Sequence, residues 1–548
     1  MGTTSEDGAA DAVEEEGSGD HQAFWADEVA DDIEAREPDD PTVVKGGVSP
    51  SGVPHIGHLN EILRGYFVAE VLRERGHEVR QVFTSDDRDP LRKVPRKLAD
   101  DDWNLVGLGD VDAGALGRNL GAPYTGIPDP FGCHGSYGAH FAALLDSAAD
   151  DLGVPVETLS NTALYEDGEM DEVVGEILAK RDLARDVLSE YQDKVDSSYV
   201  PFRPICANCG HVTETDAVTG VDPEAGTVEY VCTDVEAGDR TIEGCGHEGE
   251  AKFSEGKLPW RFEWPAQWDV LGVDFEPFGK DHAEGSWPSG QDIAREVLEN
   301  EPPVPMVYEW FTLNGDALSS SEGNVLTPPE FLELVEPEVV RYFFALNPKK
   351  QRDLDLSRLD RLVEEFDQFE RAYFEESDAF AERAYPFTVD SVEAGRIRLP
   401  YTFAAVLGMT DDRELRVEMA KNEGHIPADA TDAQIERAME RVEKARNWAK
   451  RLDNEYNYRI QNELPETDFD VEVESALDEL ADFVEAGHDG EEIQGEIYET
   501  AKRHGVPVGE FFAAGYELFF GQDSGPQLGP LLGSLDREFV VRRLRREG

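Results

Sequence analysis

The sequence predicts an α/β protein in which a parallel-sheet half is followed by an all-α half. Three observations support this fold class: an early strand–turn–helix–strand unit, a cysteine-containing insert within the α/β half, and helical patterns alone from residue 327 onward. The 548 residues suffice for about three or four domains of ~150 residues each. We therefore expect several folding units in one chain.

The charge balance is extreme, with 118 acidic and 50 basic side chains and a net charge of −68. Such a surface would normally argue against a nucleic-acid partner, because phosphate contacts need Lys and Arg. The alternative cause is solvent: at 1 M salt the Debye length is about 3 Å, so acidic side chains keep a surface hydrated without strong self-repulsion. We interpret the composition as halophilic, which leaves the partner open.

Residues 1–40 are predicted to be an acidic N-terminal extension. Its first 20 residues contain the run Glu14–Glu16 and no basic residue, as in a mobile tail, and a short helix is expected to begin near His21. The 27 Phe, 16 Tyr and 8 Trp of the whole chain exclude a disordered polyanion for most of it. No signal-peptide or membrane-spanning apolar run occurs, so we expect a cytoplasmic protein without a membrane partner.

The first βαβ unit is predicted from residue 42 to residue 84. A strand at 42–48 opens into a turn rich in small residues, and a helix with apolar residues at helical spacing runs from Leu59 to a stop at Gly76. The helix N-terminus favours phosphate binding, and His55 and His58 add imidazole donors at the same turn. P-loop and GxGxxG patterns are absent, and the turn alone could be an ordinary loop.

Two acidic segments follow in the α/β half. Asp86 and Asp87 come just after the second strand, at the edge where parallel sheets bind ligands, and could hold an amino group. The segment Ile127–His134 leads into a helix that contains Tyr137, and residues 158–199 are predicted to be mostly helical.

Four cysteines indicate a structural zinc site. The set is Cys206, Cys209, Cys232 and Cys245. Their segment is too poor in apolar residues to build its own core, and four thiolates would form a closed tetrahedral site. His211 or His247 could replace one cysteine, and free cysteines in a loop are the less favoured alternative. Cys133 is left over, as a plain thiol or near the active site.

After the insert the chain becomes aromatic. Three tryptophans stand between residues 260 and 268, a strand at 273–278 precedes Lys280 and His282, and an aromatic strand is predicted at 306–313. Tryptophans in such a cluster are most often core residues, but one could line a pocket for a bound ammonium group.

The order of these motifs resembles the class I lysyl-tRNA synthetase family of archaeal type, in a halophilic version. The shared motifs are HIGH (His55–His58), SDDRDPLRKVP (85–95), IPDPFG (127–132), the cysteine insert, PWRFEWPAQW (259–268), GKDH (279–282) and an SSSEGN loop (319–324). The resemblance runs from about Pro41 to the end. It implies a Rossmann-like catalytic domain at 41–205 and 251–326, a zinc insert at 206–250, a helical connecting domain at 327–385 and an anticodon-binding domain at 386–548.

The resemblance also implies the reaction: lysine and ATP form lysyl-adenylate, with Mg²⁺, and the lysyl group passes to tRNA(Lys). His55, His58, Ser319, Ser320 and Ser321 would be catalytic. ATP would contact these residues together with Ser51, Gly52 and Gly57. The lysine pocket would contain Gly47, Trp260, Lys280, His282 and Tyr308, and Asp86 or Asp87 is our own choice for the lysine ammonium. A monomer is expected.

One departure from the family pattern concerns the serine loop. Ala317 and Glu322 stand where the family has lysines that stabilise charge on the pyrophosphate. Either hydroxyl groups, Mg²⁺ and cations such as Lys280 or Arg261 replace them, or activation is slow or lost. The alternatives are therefore a synthetase-derived tRNA-binding or regulatory protein, and a class I synthetase for another amino acid such as glutamate or cysteine. The basic cluster Arg542–Arg546 would complement a helix dipole or contact phosphate.

Overall fold

The computed structural model describes residues 23–547, except Lys194, residues 238–239 and 319–324, Asn462 and Thr467. The strands in chain order are β1 (Thr42–Val48), β2 (Val79–Ser85), β3 (Lys97–Ala99), β4 (Leu105–Gly107), β5 (Glu157–Ser160), β6 (Arg203–Pro204), β7 (Val218–Asp222), β8 (Thr227–Val231), β9 (Val235–Ala237), β10 (Arg240–Ile242), β11 (Glu248–Lys252), β12 (Gly256–Lys257), β13 (Val273–Gly279), β14 (Val304–Tyr308), β15 (Phe311–Leu313), β16 (Asp316–Ala317) and β17 (Arg352–Leu354).

The helices of the first part are α1 (Trp25–Glu34), α2 (Leu59–Glu74), α3 (Ala113–Arg118), α4 (Tyr137–Asp151), α5 (Asn161–Glu166), α6 (Asp171–Ala179), α7 (Arg181–Ser189), α8 (Trp260–Leu271), α9 (Lys280–Glu284), α10 (Ser286–Asp292), α11 (Pro328–Leu332) and α12 (Pro337–Ala345). Those of the second part are α13 (Leu359–Phe374), α14 (Ala379–Thr388), α15 (Tyr401–Leu407), α16 (Arg413–Asn422), α17 (Asp432–Leu452), α18 (Val471–Glu485), α19 (Gly490–His504), α20 (Val508–Phe520), α21 (Leu528–Ser534) and α22 (Arg537–Leu544).

A five-stranded parallel sheet in the order β14-β13-β1-β2-β5 confirms the predicted α/β fold class. The strand β1 lies in the centre, and α2 links it to β2 as the βαβ pattern predicts. Because all five strands are parallel, their carboxyl ends meet at one edge. Val48, Ser85, Gly279 and Tyr308 end four of these strands and bring their flanking loops together.

Residues 158–199 are mostly helical, as predicted, through α5, α6 and α7. Their first residues differ, because residues 157–160 form β5, which pairs in register with β2 at the edge of the sheet. Two local predictions were wrong. The predicted strand at 306–313 is divided between β14 and β15. The region expected to be helical only contains β17, which pairs with β15.

The cysteine insert is built from short strands, and β7, β8 and β11 form a three-stranded antiparallel sheet. Among the described residues it adds only a few apolar side chains to the core, such as Val228 and Tyr230. This matches the expectation that packing alone does not stabilise the segment.

The helix α1 is a packed part of the α/β half. Phe24, just before it, is fully buried and its ring meets that of Phe67 on α2 at a centroid distance of 5.7 Å. Trp25 donates its indole N–H to the carbonyl of Ala345 at 2.8 Å, and Asp27 pairs with Arg383. Within the described residues, the predicted N-terminal extension therefore ends in a docked helix, and no described helix is long and apolar enough to span a membrane.

Candidate active site and metal clusters

The turn after β1 holds two stacked histidines. The Nδ1 atom of His55 accepts the backbone N–H of Gly57 at 3.1 Å, and the Nδ1 atom of His58 accepts the N–H of His55 at 3.0 Å. The rings stack at a centroid distance of 4.0 Å. Since both Nδ1 atoms are acceptors, the proton of each neutral ring lies on Nε2, which is left to donate to a ligand.

Both histidines are neutral at pH 7. Burial, reinforced by the charge of His58, lowers the pKa of His55 to about 2, and burial lowers the pKa of His58 to about 4. The pair therefore offers two hydrogen-bond donors without a positive charge.

Glycine at position 57 leaves room for the ring of His55. A Cβ there would lie 2.7 Å from Cε1 of His55 and 3.4 Å from Cδ1 of Leu318. The N–H of Ile56 in turn donates to the carbonyl of Leu326 at 3.0 Å. The predicted catalytic residues Ser319, Ser320 and Ser321 lie outside the described residues, and so does Glu322, but the chain on both sides of them contacts the histidine turn.

Gly47 and Tyr308 are connected by the carboxyl group of one partly buried glutamate. Glu61, in the first turn of α2, accepts the N–H of Gly47 at 3.0 Å and the hydroxyl of Tyr308 at 3.1 Å. Burial raises the pKa of Glu61 to about 8, and the neighbouring Glu276 adds to the shift. A Cβ on Gly47 would lie 2.2 Å from Oγ1 of Thr84, so the approach of these strands needs glycine. The sequence signal for Glu61 was a carboxyl three residues after the HIGH motif.

Trp260 and His282 meet in an aromatic cluster. The rings of Trp260 and Trp264 stack at 5.3 Å, and that of His282 lies 6.0 Å from the first and 5.3 Å from the second. Lys280 is exposed instead, and its ammonium pairs with Glu309 at 2.9 Å. The structure thus groups Trp260 with His282, while Lys280 is directed to the surface.

The structure distinguishes the two candidate carboxyl groups after β2. Asp87 accepts the hydroxyl of Ser160 at 2.6 Å and the N–H of Thr162 at 2.8 Å, so both its oxygens hold the start of α5. Asp86 is buried and receives one bond, from the amide of Gln267 at 3.2 Å. Burial raises the pKa of Asp86 to about 7, with a contribution from Asp89. Asp86 is therefore the carboxyl with acceptor capacity to spare.

A buried charge set that the sequence reasoning missed lies behind the turn. The ammonium of Lys257 pairs with Asp89 at 2.5 Å and with Glu263. Asp89 also accepts the hydroxyl of Ser49 at 2.8 Å, and Ser51, whose carbonyl receives the hydroxyl of Tyr137 at 3.0 Å, follows in the same turn. This set ties the turn, which also contains the buried Gly52, to the second half of the α/β region.

The four predicted zinc ligands lie together. Ligand atoms of Cys206, Cys209, Cys232 and Cys245 are all within 4.8 Å of one another, and neither predicted histidine substitute belongs to the group. The amide of Asn208 donates to the sulfur of Cys245 at 3.4 Å, and such N–H···S contacts are typical of thiolates. Four thiols at this spacing suit a tetrahedral zinc site.

A second group of metal-ligand side chains contains the leftover Cys133. Its sulfur lies 3.4 Å from Nδ1 of His140, and these two residues, Asp101 and His134 all fall within 4.8 Å of one another. Nε2 of His140 contacts the carbonyl of Ala99 at 2.8 Å, which turns Nδ1 toward the cluster, an orientation typical of metal-binding histidines. The adjacent Cys and His, with another His six residues later, were the signal in the sequence.

Comparisons with known proteins agree with this geometry. Residues 23–391 match the family described as tRNA synthetases class I (K). The lysine–tRNA ligase of Natronomonas pharaonis is 67% identical over 97% of this chain and 99% of the relative, and that of Haloarcula marismortui is 65% identical over 97% and 98%. The lysine–tRNA ligase of Halobacterium salinarum is 63% identical over 98% of this chain and 99% of the relative.

The matched family region is long, and the relatives share this identity over nearly the whole chain. These two findings decide the classification. The parallel sheet, the HIGH turn and the helical second half are consistent with them. The chain belongs to the class I lysyl-tRNA synthetase family.

Proposed function

We propose that this chain joins L-lysine to tRNA(Lys) through a lysyl-adenylate made from ATP. In the first step a carboxylate oxygen of lysine bonds to the α-phosphorus, and the bond to the bridging oxygen breaks, which releases pyrophosphate. In the second step a hydroxyl of the terminal ribose of tRNA attacks the lysyl carbonyl carbon, and AMP leaves. The observation that carries the proposal is the pair of neutral Nε2 donors at the HIGH turn, beside the carbonyl end of the central strand.

The histidines would position the phosphates rather than neutralise them. Transfer at phosphorus depends mainly on in-line positioning and on stabilisation of charge that develops on oxygen. His55 and His58 would each donate one hydrogen bond, and the N-terminus of α2 adds backbone dipoles behind them. Ser319 to Ser321 would complete the site from the other side.

The lysine pocket would lie between the aromatic cluster and the bridge made by Glu61. Gly47 and Tyr308, which this carboxyl connects, would contact the amino acid together with Trp260 and His282. Asp86 is our choice for a partner of an ammonium group, because Asp87 is already occupied by Ser160 and Thr162. An added positive charge would also bring the raised pKa of Asp86 back down.

The phosphate charge needs cations other than the two replaced lysines. Ala317 and Glu322 offer none, and Lys280 is paired with Glu309. Mg²⁺ bound with ATP supplies charge neutralisation at the phosphates. Arg261, whose guanidinium donates only to the carbonyl of Gly285 and the hydroxyl of Ser289 among the described residues, is the other candidate named from the sequence.

The four cysteines of the insert would hold a structural zinc ion. The closed set of four thiols leaves no position for a substrate, as in structural sites. The metal would stabilise the antiparallel sheet of β7, β8 and β11, which has little apolar packing of its own.

Exchange of pyrophosphate into ATP tests the proposal. We expect exchange that depends on lysine, measured with the purified full chain and Mg²⁺ in several-molar potassium chloride. Lysine, glutamate and cysteine would be compared at equal concentrations. Exchange driven by glutamate or cysteine would identify another synthetase, and folded protein that binds tRNA without any exchange would indicate the regulatory alternative.

A further inference from the structure

The loop between α12 and β17 brings two lysines to the carboxyl edge of the parallel sheet. The backbone N–H of Glu309, the residue after β14, donates to the carbonyl of Pro348 at 2.8 Å. Lys349 and Lys350 follow directly in the sequence, and both are exposed. Because Tyr308, a predicted member of the lysine pocket, ends β14, this loop lies next to the candidate active site.

A small sheet links the same loop to the chain that carries Ala317. Its strands lie in the order β16-β15-β17. Ala317 on β16 is opposite Thr312 on β15, and Thr312 is opposite Asp353 on β17. Neighbouring strands are about 4.8 Å apart, so the backbones of Ala317 and Asp353 are separated by about 10 Å. A lysine is missing at Ala317, and β17 lies two strands away.

The loop and the chain after Ala317 leave this small sheet at the same end. The strands β15 and β17 are parallel, so the residues before Arg352 lie at the end where β15 begins. The strand β16 is antiparallel to β15, so Leu318, which follows β16, lies at that end as well. A Cβ atom on Gly57 would be 3.4 Å from Cδ1 of Leu318, so this end of the sheet meets the HIGH turn. The fold therefore brings Lys349 and Lys350 toward the candidate phosphate donors.

Three cations of this segment have no carboxylate partner among the described residues. Lys349, Lys350 and Arg352 form no ion pair there, and the Nε atom of Arg352 is buried without a hydrogen-bond partner. Lys280, by contrast, is paired with Glu309 at 2.9 Å. In a chain with 118 acidic and 50 basic residues, cations that stay unpaired are available to an external anion.

The adenylation step needs positive charge at the phosphates that leave as pyrophosphate. When the bond between the α-phosphorus and the bridging oxygen breaks, negative charge builds up on that oxygen and on the leaving group. In the family pattern two lysines stabilise this charge, and Ala317 and Glu322 stand in their places. Cations on a neighbouring segment can supply the same stabilisation.

We propose that Lys349 and Lys350 bind the β- and γ-phosphates of ATP and take over the role of the two missing lysines. Their ammonium groups would contact the phosphate oxygens from the side of β17, while His55 and His58 donate from the HIGH turn. Arg352, which is half-buried, would add positive potential without touching the substrate. The inference rests on the proposed function and assigns the groups that stabilise its leaving pyrophosphate.

Variants of the full chain test this assignment in several-molar potassium chloride with Mg²⁺. Lys349→Ala/Lys350→Ala removes both ammonium groups, and Lys349→Arg/Lys350→Arg keeps the charge. Lys421→Ala/Lys450→Ala is the charge-matched control, because both lysines are exposed, lie on α16 and α17 and form no ion pair with a described residue. At this salt concentration the Debye length is below about 3 Å, so only cations in direct contact with the phosphates affect the rate.

Lysine-dependent pyrophosphate exchange gives the first readout. We expect the alanine variant to lower kcat about tenfold to a hundredfold and to raise the KM for pyrophosphate about tenfold, because charge-assisted contacts to the leaving group are lost. The KM for lysine should not change. The arginine variant should keep most of the activity, and the control variant should match the wild type. An unchanged kcat in the alanine variant, a parallel loss of lysine affinity, or an equal loss in the control variant would overturn the inference.

Direct binding of pyrophosphate separates this inference from the proposed function. Titration calorimetry with pyrophosphate and Mg²⁺ should show about tenfold weaker binding to the alanine variant than to the wild type, whether or not exchange occurs. Wild-type protein without exchange would contradict the proposed function. Equal pyrophosphate affinity in both proteins would contradict the inference alone.

An aminoacylation assay covers the remaining alternative, in which the two lysines contact tRNA instead. Normal exchange by the alanine variant, together with a raised KM for tRNA, would assign them to tRNA and would also overturn the inference. Circular dichroism in the same buffer checks that each variant is folded.

Discussion

Each histidine of the HIGH turn has two tasks at once, because its Nδ1 atom holds the turn and leaves the proton on Nε2 for donation to a ligand. We expect His55→Ala or His58→Ala to lower kcat for lysine-dependent exchange by about 10²–10³, the usual loss for a donor that stabilises transition-state charge. Lysine binding, followed through tryptophan fluorescence, should change much less, since neither ring joins the aromatic cluster.

A distant, partly exposed histidine provides the control for this measurement. His488 pairs with Glu492 in the helical part of the chain, so His488→Ala should leave exchange unchanged. Equal losses of lysine binding and of exchange in the His55 variant would count against the assignment of that residue to the phosphates.

The carboxyl of Glu61 should act as a positioning group for lysine. Glu61→Ala would leave the N–H of Gly47 and the hydroxyl of Tyr308 without their partner, so KM for lysine in exchange should rise about tenfold or more. Glu61→Gln keeps a carbonyl acceptor and should restore most of the affinity. If Ala and Gln have the same KM, the bridge has no role in binding.

Glu61 and Asp86 also predict how stability depends on pH. Burial raises their pKa values from 4.5 to about 8 and from 3.8 to about 7, so between about pH 4.5 and 7 the folded state binds more protons than the unfolded state. The free energy of unfolding contributed by these groups should therefore fall as pH rises, by up to about 1.4 kcal/mol per pH unit for each group. Urea titrations at several pH values give the free energy of unfolding as a function of pH. This free energy should fall less steeply with pH in Glu61→Gln than in the wild type. The same dependence on pH in both proteins would exclude a raised pKa of Glu61.

At the scale of elements, the cysteine insert should depend on its metal. Cys206→Ser removes one of four thiols, so we expect loss of zinc by atomic absorption and faster proteolysis within residues 206–250. Thr241→Ser, an exposed change in the same insert, is the control. Zinc fully retained in the Cys206 variant, or wild-type protein without any metal, would contradict the proposed site.

Elements were predictable where local periodicity and tertiary pairing agree. The strand β1 and the helix α2 appear within about two residues of their predicted positions, because each has its own apolar pattern. The strand β5 was missed because its four residues become a strand only by pairing with β2. Asp86 and Asp87 look equivalent in the sequence, and only the position of Ser160 and Thr162 shows that Asp87 is occupied.

For the whole molecule, composition predicts a requirement for salt. Lowering potassium chloride from several molar to about 0.1 M lengthens the Debye length from under 3 Å to about 10 Å, so repulsion among 118 acidic side chains grows. We expect the midpoint of thermal unfolding, followed by circular dichroism, to fall steeply, with reversal when salt is restored. A midpoint independent of salt would contradict the halophilic interpretation.

Composition alone could not reveal which basic side chains pair with carboxylates in the folded protein. The sequence shows two basic runs, at 92–97 and 542–546, and gives no reason to treat them differently. The fold brings Asp478, Asp482 and Glu485 of α18 to the second run and leaves the first without such partners among the described residues. Long-range placement of carboxylates therefore decides which run is available to a ligand.

The docked helix α1 has a consequence for how the chain folds. Trp25 contacts Ala345 across 320 residues, and Asp27 contacts Arg383 across 356. Contacts between residues so far apart in the sequence form slowly, because closing a very long loop costs conformational entropy. During synthesis α1 can meet Phe67 of α2 early, but its contacts with Ala345 and Arg383 form only after those residues have been made.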